Sequence, residues 1–302
     1  VLRRRSRRHA QPMLAGISTL TCYSVLGTAL IGAAIIFFIQ KYFSGPVRLR
    51  PDRYTPVKLI RKKVVSDNVE RPTVFLVFDT NVSGFPTGAH VSCKFTDGKA
   101  MTMRPYTPTR FSPSECELMI RVYPEGKMTQ HMHKLKVGDT IDMRGPTGFK
   151  RYGHKGPGVM SKLLKNKEHH QEGIEHIMMF AGGTGITPML QICNHIIQDE
   201  KDNTKASLLV ANSTPEDVML YDQLLKLESR SKGNIKVFFT VSKPSEDWKH
   251  RKGRVDEKMI KDLFPAPSSK VAVAVCGPSG FEKAVVEGLV SVGHEKARIW
   301  RW

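Results

Sequence analysis

Three short segments of this 302-residue chain carry residues suited to holding a cofactor. The first, Arg104-Pro105-Tyr106-Thr107, sets a cation, an aromatic ring and a hydroxyl within four residues. An arginine fork suits a phosphate, a tyrosine ring can lie against a flat conjugated ring, and a threonine hydroxyl can hydrogen-bond a ring nitrogen. This segment, the flavin box, could therefore contact both ends of a flavin dinucleotide. Each of its residues taken alone would equally suit the end of an edge strand.

The second segment, Gly182-Gly183-Thr184-Gly185-Ile186-Thr187, follows an apolar run and opens a helical pattern with Pro188 in its first turn. Glycines let backbone amides approach a pyrophosphate, and a helix N-terminus adds about half a positive charge. We call this segment the nucleotide box. It predicts a dinucleotide site, although a glycine-rich loop by itself is often only a tight turn.

The third segment, Cys276-Gly277-Pro278, also stands where an apolar run meets a helical pattern. Ligands of open α/β sheets bind beyond the carboxyl ends of the strands. The two glycine-containing junctions are therefore predicted to face one crevice, with Cys276 beside the reactive ring. The alternative is a buried structural cysteine next to the start of a helix.

The elements that must position these segments follow two patterns. Six short β-rich runs and one helical stretch predict an antiparallel β-barrel over residues 56–148. After a connector at 149–173, apolar runs alternate with helical segments over 174–302, including one predicted helix from Pro215 to Glu228. That alternation predicts an α/β domain of Rossmann-like form, in which helices cover a parallel sheet.

The N-terminal part of the sequence predicts a membrane anchor. Residues 13–39 contain no charged side chain and are long enough to cross a hydrocarbon core of roughly 30 Å as a transmembrane helix. Residues 1–12 carry five arginines and no acid, which suits either a positive-inside flank or a targeting presequence. Residues 40–55 are interpreted as a tether. Lys and Arg are equally frequent on both flanks, so the orientation stays open.

Charge and cysteine content narrow the classes of partner. Residues 1–63 hold +12 of the net charge of +19, which leaves a moderate excess that either steers an acidic partner or forms a solvated basic face. No basic tract is interleaved with aromatic residues, so nucleic acid is not an expected partner. The five cysteines have neither a C-x-x-C pair nor iron–sulfur spacing, so no metal site is predicted.

Taken in this order, the three segments resemble the ferredoxin-reductase-like flavoproteins, most closely the NADH-cytochrome b5 reductase family, over about residues 56–302. The resemblance implies that Arg104 binds the FAD pyrophosphate, Tyr106 the isoalloxazine and Thr107 the region of flavin N5. Further implied FAD contacts are Pro105, Ile120, Arg121, Tyr123, Gly126, Lys127, Met128, Thr129 and Thr187. Implied NAD(P)H contacts are Gly182, Gly183, Thr184, Gly185, Ser242, Cys276, Gly277 and Pro278. Thr107 and Cys276 are the candidate catalytic residues.

One departure from the family pattern bears on the nucleotide. NADH-specific relatives often hold an aspartate where this chain has Ser242, and an acid there would repel a 2′-phosphate. Ser242 beside Lys243 and Arg251 could instead accept that phosphate, so NADPH stays open as the donor. A second departure is Arg121, which replaces a family lysine and changes the geometry of the charge.

The resemblance implies a flavoprotein reductase that passes a hydride from NADH to FAD and then single electrons to membrane-bound cytochrome b5 or a similar haem protein. Two alternatives stay open: an NADPH-preferring reductase that serves a desaturase, an oxygenase or a quinone, and a membrane-tethered interaction protein without catalysis. The expected location is the mitochondrial outer membrane or the endoplasmic reticulum. The chain would be single-pass, in contact with lipid, with its catalytic part in the cytosol.

Overall fold

The computed structural model describes Gly32 and residues 45–65, 70–98, 100–164 and 167–302. The chain divides into two compact units, Val1–Gly45 and Pro46–Trp302, and all elements named below belong to the second. No helix within the described residues is both long and apolar enough to cross a membrane. The predicted anchor at 13–39 lies outside the described residues, apart from Gly32.

The first half of the second unit is a barrel-like antiparallel sheet. Its neighbouring strands run in the order β5-β4-β8-β2-β3-β7-β6, and β1 pairs with β3 in parallel. The strands are β1 (Val47–Arg48), β2 (Thr55–Val64), β3 (Thr73–Asn81), β4 (His90–Asp97), β5 (Ala100–Tyr106), β6 (Arg110–Phe111), β7 (Glu115–Arg121) and β8 (Thr140–Thr147), with helix α1 (Lys127–Lys134) after β7.

Alternation along β7 shows why this sheet is buried on two faces. Leu118 and Ile120 point into the barrel core, where they pack with side chains from the other strands. Met119 points the opposite way and joins the core of the following domain. Burial of one such side chain stabilises the folded protein by roughly 1.5–3 kcal/mol. Since β7 buries side chains in both cores, it stabilises the barrel and its packing against the following domain.

The connector contains a small antiparallel sheet of β9 (Lys150–Tyr152), β10 (Met160–Leu164) and β11 (Lys167–Gln171), in the order β11-β10-β9. Its middle strand, β10, pairs with both others. Tyr152 and Met160 are buried in the core of the domain that follows.

That domain is a six-stranded parallel sheet with helices on both faces, in the order β15-β14-β13-β12-β16-β17. The chain runs outward from β12 to β15 and then returns to the other side of β12, so the switch point lies between β12 and β16. The strands are β12 (His176–Gly182), β13 (Lys205–Asn212), β14 (Ile235–Val241), β15 (Arg251–Lys252), β16 (Val271–Cys276) and β17 (Ile299–Arg301). The helices are α2 (Ile186–Gln198), α3 (Tyr221–Arg230), α4 (Glu257–Leu263) and α5 (Ser279–Ser291).

The fold class matches the prediction for both halves, but one predicted helix is interrupted and several short strands were not expected. The single helix expected from Pro215 to Glu228 is interrupted: a 3-10 turn covers Pro215–Asp217, and α3 starts only at Tyr221. Leu220 has a φ of 62°, a left-handed conformation that a helix cannot include. The short strands β1, β6, β15 and β17 were not predicted, because two or three residues carry no readable periodicity.

Candidate active site

Three cavities adjoin along the cleft between the barrel and the parallel sheet. The central cavity has a volume of about 620 Å³ and lies where both domains contribute residues. A flavin-side cavity of about 610 Å³ shares Tyr106 and Thr129 with it. A nucleotide-side cavity of about 510 Å³ shares Arg121 and Pro278 with it. Every site residue proposed from the sequence lines at least one of these cavities.

The flavin box lies at the end of β5, which pairs with β4 through Cys93↔Arg104 and Val91↔Tyr106. Arg104 is exposed at the flavin-side cavity, where its Nη1 donates to its neighbour's carbonyl, that of Met103, at 2.8 Å. Within the described residues no carboxylate forms an ion pair with Arg104. Its guanidinium is therefore available for a phosphate.

Tyr106 and Thr107 turn from the flavin-side cavity toward the central one. Both are partly buried and line the central cavity, which Tyr106 shares with the flavin side. Burial raises the pKa of the Tyr106 phenol well above its usual value, so the ring stays neutral and can lie against an uncharged aromatic system.

The segment from Tyr123 to Thr129 forms the opposite wall of the flavin-side cavity. The Thr129 hydroxyl donates to the Gly126 carbonyl at 3.0 Å and accepts from the Tyr123 amide at 3.3 Å. A Cβ at Gly126 would collide with the Thr129 hydroxyl oxygen, so a glycine is needed for this tight turn. The turn brings Lys127 and Met128 to the same cavity as Arg104.

Arg121 differs from the other residues expected to contact FAD. Its side chain is 6% exposed and lies between the central and nucleotide-side cavities. Nη1 donates to Asp217 Oδ1 at 2.5 Å and Nη2 donates to the Asp217 carbonyl at 2.9 Å. Arg121 thus joins β7 of the barrel to the 3-10 turn after β13, and its expected role toward a cofactor stays a prediction.

The nucleotide box connects β12 to α2 through a 3-10 turn at Gly183–Gly185. Gly183 adopts a φ of +55°, which favours glycine, and no side chain caps the N-terminus of α2. A Cβ at Gly185 would collide with the Cys276 carbonyl oxygen. The glycine-rich turn that leads into α2 therefore lines the central cavity, across a backbone contact that only glycine permits.

The Cys276-Gly277-Pro278 segment meets the nucleotide box directly, at the switch point between β12 and β16. A Cβ at Gly277 would lie 3.0 Å from the Gly182 Cα. Cys276 lines the central cavity, and burial, followed by the nearby Glu282, raises the pKa of its thiol to about 12. The thiol is therefore neutral at physiological pH and is not a thiolate nucleophile.

The environment of Ser242 differs from the one that the sequence suggested. Ser242 lines the nucleotide-side cavity, but Lys243 and Arg251 do not. Arg251 lies 3.9 Å from the Asp262 carboxylate instead. Arg254 takes their place in the cavity lining, because Gly253 with a φ of 100° turns the chain after β15. The basic residues of this lining, Arg71, Arg121 and Arg254, are thus not the two that the sequence suggested beside Ser242.

Several further residues of the central cavity were missed by sequence reasoning: His90, Glu125, Gly148, Lys150 and Trp302. Burial lowers the pKa values of both His90 and Lys150. These residues come from separate elements and belong to no short motif. No local pattern in the sequence could have identified the first four. Trp302 could have been suspected, because it is a large aromatic residue directly after the last strand.

The residues present fit a flavin dinucleotide and a nicotinamide nucleotide. The flavin-side cavity offers an unpaired arginine, the central cavity offers neutral aromatic and hydroxyl groups, and the glycine-rich turn beside it lets the backbone come close to a ligand. Phosphates would meet donors at both ends, while the flat rings would meet in the middle.

Two family models match the chain. An oxidoreductase FAD-binding domain matches residues 56–152, and an oxidoreductase NAD-binding domain matches residues 179–287. The first covers the barrel with the flavin box, and the second covers the parallel sheet with the nucleotide box and Cys276. The order of the two domains agrees with the order of the motifs.

Known proteins resemble the chain over most of its length. NADH-cytochrome b5 reductase 2 of Xenopus tropicalis is 34% identical over 90% of this chain and 95% of the relative. NADH-cytochrome b5 reductase 1 of Arabidopsis thaliana is 32% identical over 87% and 89%. The crystal structure of the cytochrome b5 reductase domain of Ulva prolifera nitrate reductase superposes with a TM-score of 0.75 at 28% identity, covering 84% of this chain and 99% of that domain.

Proposed function

This chain belongs to the NADH-cytochrome b5 reductase family, and we propose that it passes a hydride from NADH to FAD and then single electrons to membrane-bound cytochrome b5. It is an oxidoreductase with an FAD-binding and an NAD-binding domain. The observation that carries the proposal is the central cavity, where Thr107 of the flavin box and Gly185 of the nucleotide box line the same space.

On the flavin side, Arg104 would bind the pyrophosphate of FAD and Tyr106 would support the isoalloxazine. Thr107 would hydrogen-bond the reacting edge of that ring, since it lies at the central cavity beyond Tyr106. On the nucleotide side, the glycine-rich turn Gly183–Gly185 before α2 would let the backbone approach the pyrophosphate of the donor. Thr187, which lines the central cavity from the first turn of α2, would meet the flavin from the other domain.

Bound FAD supplies the redox chemistry, because a flavin can accept a hydride and release electrons one at a time. The protein's part is to bind, orient and exclude water. Cys276, held neutral by burial, would pack beside the nicotinamide without donating or accepting a proton. No acid–base side chain is needed for the hydride step.

We propose cytochrome b5 as the acceptor because relatives at 32–34% identity carry that name, and because the chain needs an external acceptor if FAD is its one redox group. The apolar stretch at residues 13–39 would anchor the protein so that donor and acceptor diffuse in one plane. Protease accessibility of a tagged chain in isolated membranes would test the anchoring, and extraction of the chain by carbonate would contradict it.

Stopped-flow absorbance tests the catalytic proposal. We expect NADH to bleach the flavin of the purified protein, and oxidised cytochrome b5 to become reduced when it is added afterwards. A protein that binds no FAD would contradict the whole proposal. If only NADPH reduces the flavin and no electron reaches the haem, the protein would still be a reductase, but the proposed donor and acceptor would be excluded.

NADPH is a second candidate donor because of the nucleotide-side cavity. Arg254 and Ser242 line it together, and Asp217 is the only acidic residue in the described part of its lining. Within the described residues no hydrogen bond or ion pair holds the Arg254 guanidinium. A 2′-phosphate on the adenosine ribose would therefore find a free cation in this cavity, where the one carboxylate of the described lining, that of Asp217, is paired with Arg121.

The substitution Arg254→Gln tests this second donor. If the guanidinium binds the 2′-phosphate, kcat/KM for NADPH falls about 10-fold while that for NADH stays within about twofold, since one charged hydrogen bond contributes roughly 1.5–3 kcal/mol. Arg251→Gln is the matched control, because Arg251 faces Asp262 outside the cavity. Equal losses for both nucleotides would rule out recognition of the 2′-phosphate by Arg254.

A further inference from the structure

Gln191 makes a buried bridge between the two domains. Its side chain is 7% exposed and projects from α2 toward the barrel. Its Nε2 donates to the Pro108 carbonyl at 2.9 Å, and its Oε1 accepts from the Gly88 amide at 2.8 Å. One side chain thus satisfies two backbone groups that belong to the other domain.

The two ends of this bridge adjoin the two cofactor segments. Pro108 directly follows Thr107, the last residue of the flavin box. Gln191 lies one helical turn after Thr187, the last residue of the nucleotide box. Hydrogen bonds of normal length therefore link the segment expected to hold the flavin ring to the helix expected to hold the donor.

The loop whose Gly88 amide donates to Gln191 is also held at other points. Trp302 Nε1 donates to the Gly88 carbonyl at 3.2 Å, so both backbone groups of Gly88 are bound by side chains of the parallel-sheet domain. Thr87 Oγ1 lies 3.0 Å from His195 Nδ1, one turn further along α2. A Cβ at Gly88 would lie 2.9 Å from the Lys150 carbonyl oxygen, so the loop cannot move closer to β9.

We propose that Gln191 is a positioning residue: it sets the separation between the flavin box and the nucleotide box, and with it the approach of hydride donor to acceptor. This proposal rests on the proposed hydride transfer from NADH to FAD. Hydride transfer requires reacting atoms about 3–3.5 Å apart, and an error of about 1 Å can cost two orders of magnitude in rate. Domains of one chain move relative to each other unless their interface prevents it.

A glutamine suits this task for two chemical reasons. Its amide both donates and accepts, so it can bind a carbonyl on one side and an amide on the other. Because both partners are backbone atoms in a buried interface, leaving either unpaired is unfavourable, and the pair of bonds favours one relative position of the domains. An apolar side chain at this position in α2 would fill the space without specifying that position.

Two substitutions test separately the amide group of Gln191 and the length of its side chain. Gln191→Met keeps an unbranched side chain of similar volume but loses both hydrogen bonds. Gln191→Asn keeps the amide but is one methylene too short to reach both partners. Tyr152→Phe is the matched control, because Tyr152 Oη donates a buried hydrogen bond to Asp202 at 2.6 Å and does not line the cleft.

The experiment uses the full-length protein with FAD bound and measures three quantities. The rate of flavin reduction at saturating NADH is measured by stopped-flow, together with its isotope effect when C4 of the nicotinamide carries deuterium. Retention of FAD and the melting temperature report on folding. Amide hydrogen exchange of residues 85–89 reports on the bridge itself and does not depend on catalysis.

If the proposal holds, both Gln191 variants reduce their flavin at least about 10-fold more slowly than Tyr152→Phe, with FAD retained and a larger isotope effect. Their Gly88 amide also exchanges faster than in the wild type. Rates within about twofold of the control overturn the proposal. An unchanged hydrogen-exchange rate of the Gly88 amide also overturns it. This measurement needs only one folded variant, so Gln191→Asn suffices if Gln191→Met does not fold. If NADH does not reduce the flavin of the wild-type protein, the proposed function itself is refuted. The wild-type measurement is made first, so this outcome is distinguished from a failure of the Gln191 proposal.

Discussion

The two sides of the cleft present their expected ligands with different parts of the chain. On the flavin side the chemistry lies in side chains, those of Arg104, Tyr106 and Thr107 at the end of β5. On the nucleotide side it lies in the backbone, where Gly185 and Gly277 allow two strand ends to touch. A substitution on the first side removes a contact, whereas a substitution on the second inserts atoms where none fit.

The difference follows from the two kinds of sheet. In the barrel the flavin box ends β5, which pairs with β4 on one side, and the groups there that suit a cofactor are side chains. In a parallel sheet the strands end together and helices begin there with unpaired amides. The helices α2 and α5 both start at the central cleft, and neither has a side-chain cap.

The largest expected effect tests the backbone side. Gly185→Ala would place a Cβ against the Cys276 carbonyl, so one of the two strand ends must move. We expect flavin reduction by NADH to fall at least about 100-fold, since a shift of about 1 Å suffices for that loss, while FAD stays bound. Stopped-flow and flavin absorbance measure the two quantities.

The matched control for that substitution is Gly288→Ala on α5, where the new Cβ meets only the flexible end of the Ile260 side chain at 3.1 Å. If Gly185→Ala loses FAD as well as activity, the flavin side and the nucleotide side of the cleft do not act independently. That result would contradict the distinction drawn between them.

A smaller effect is expected from removing a side chain on the flavin side. In Arg104→Gln the charged hydrogen bond to the pyrophosphate is lost, and such bonds contribute roughly 1.5–3 kcal/mol. We expect the dissociation constant for FAD to rise about 10- to 100-fold, measured by the fluorescence of released flavin. With FAD saturating, reduction by NADH should stay near the wild-type rate.

Arg110→Gln provides the control for charge, since Arg110 lies outside the cleft in the same domain. If Arg104→Gln binds FAD as tightly as Arg110→Gln does, the flavin box does not hold the pyrophosphate through this guanidinium.

The smallest effect concerns acid stability, which should be similar on the two sides. Burial lowers the pKa of His90 in the barrel and of His294 in the parallel-sheet domain. The unfolded chain therefore binds more protons than the folded one below about pH 6.5, and the free energy of unfolding decreases as the pH falls from there. Urea unfolding between pH 7.5 and 5.5 measures that slope, and His90→Gln should make it shallower. An unchanged slope would show that His90 does not contribute.

Much of the fold followed from local sequence patterns. The β-rich runs, the strand–helix alternation and the glycine junctions of β12 and β16 are properties of a few neighbouring residues, and their periods and turn residues can be read directly. Short strands and the break before α3 were not readable, because a backbone conformation such as that of Leu220 depends on the packing around it.

The sequence by itself determined which groups each segment offers and in what order the segments occur, because the chemistry of a box such as Arg104–Thr107 lies within four neighbouring residues. Only the tertiary structure decided what each charged or polar side chain meets. Arg121 is paired with Asp217, Arg254 rather than Arg251 lines the nucleotide-side cavity, and Gln191 joins Pro108 to Gly88. The partners in these pairs are far apart in the chain, and their contact depends on how two separately folded surfaces dock. No local pattern records that geometry.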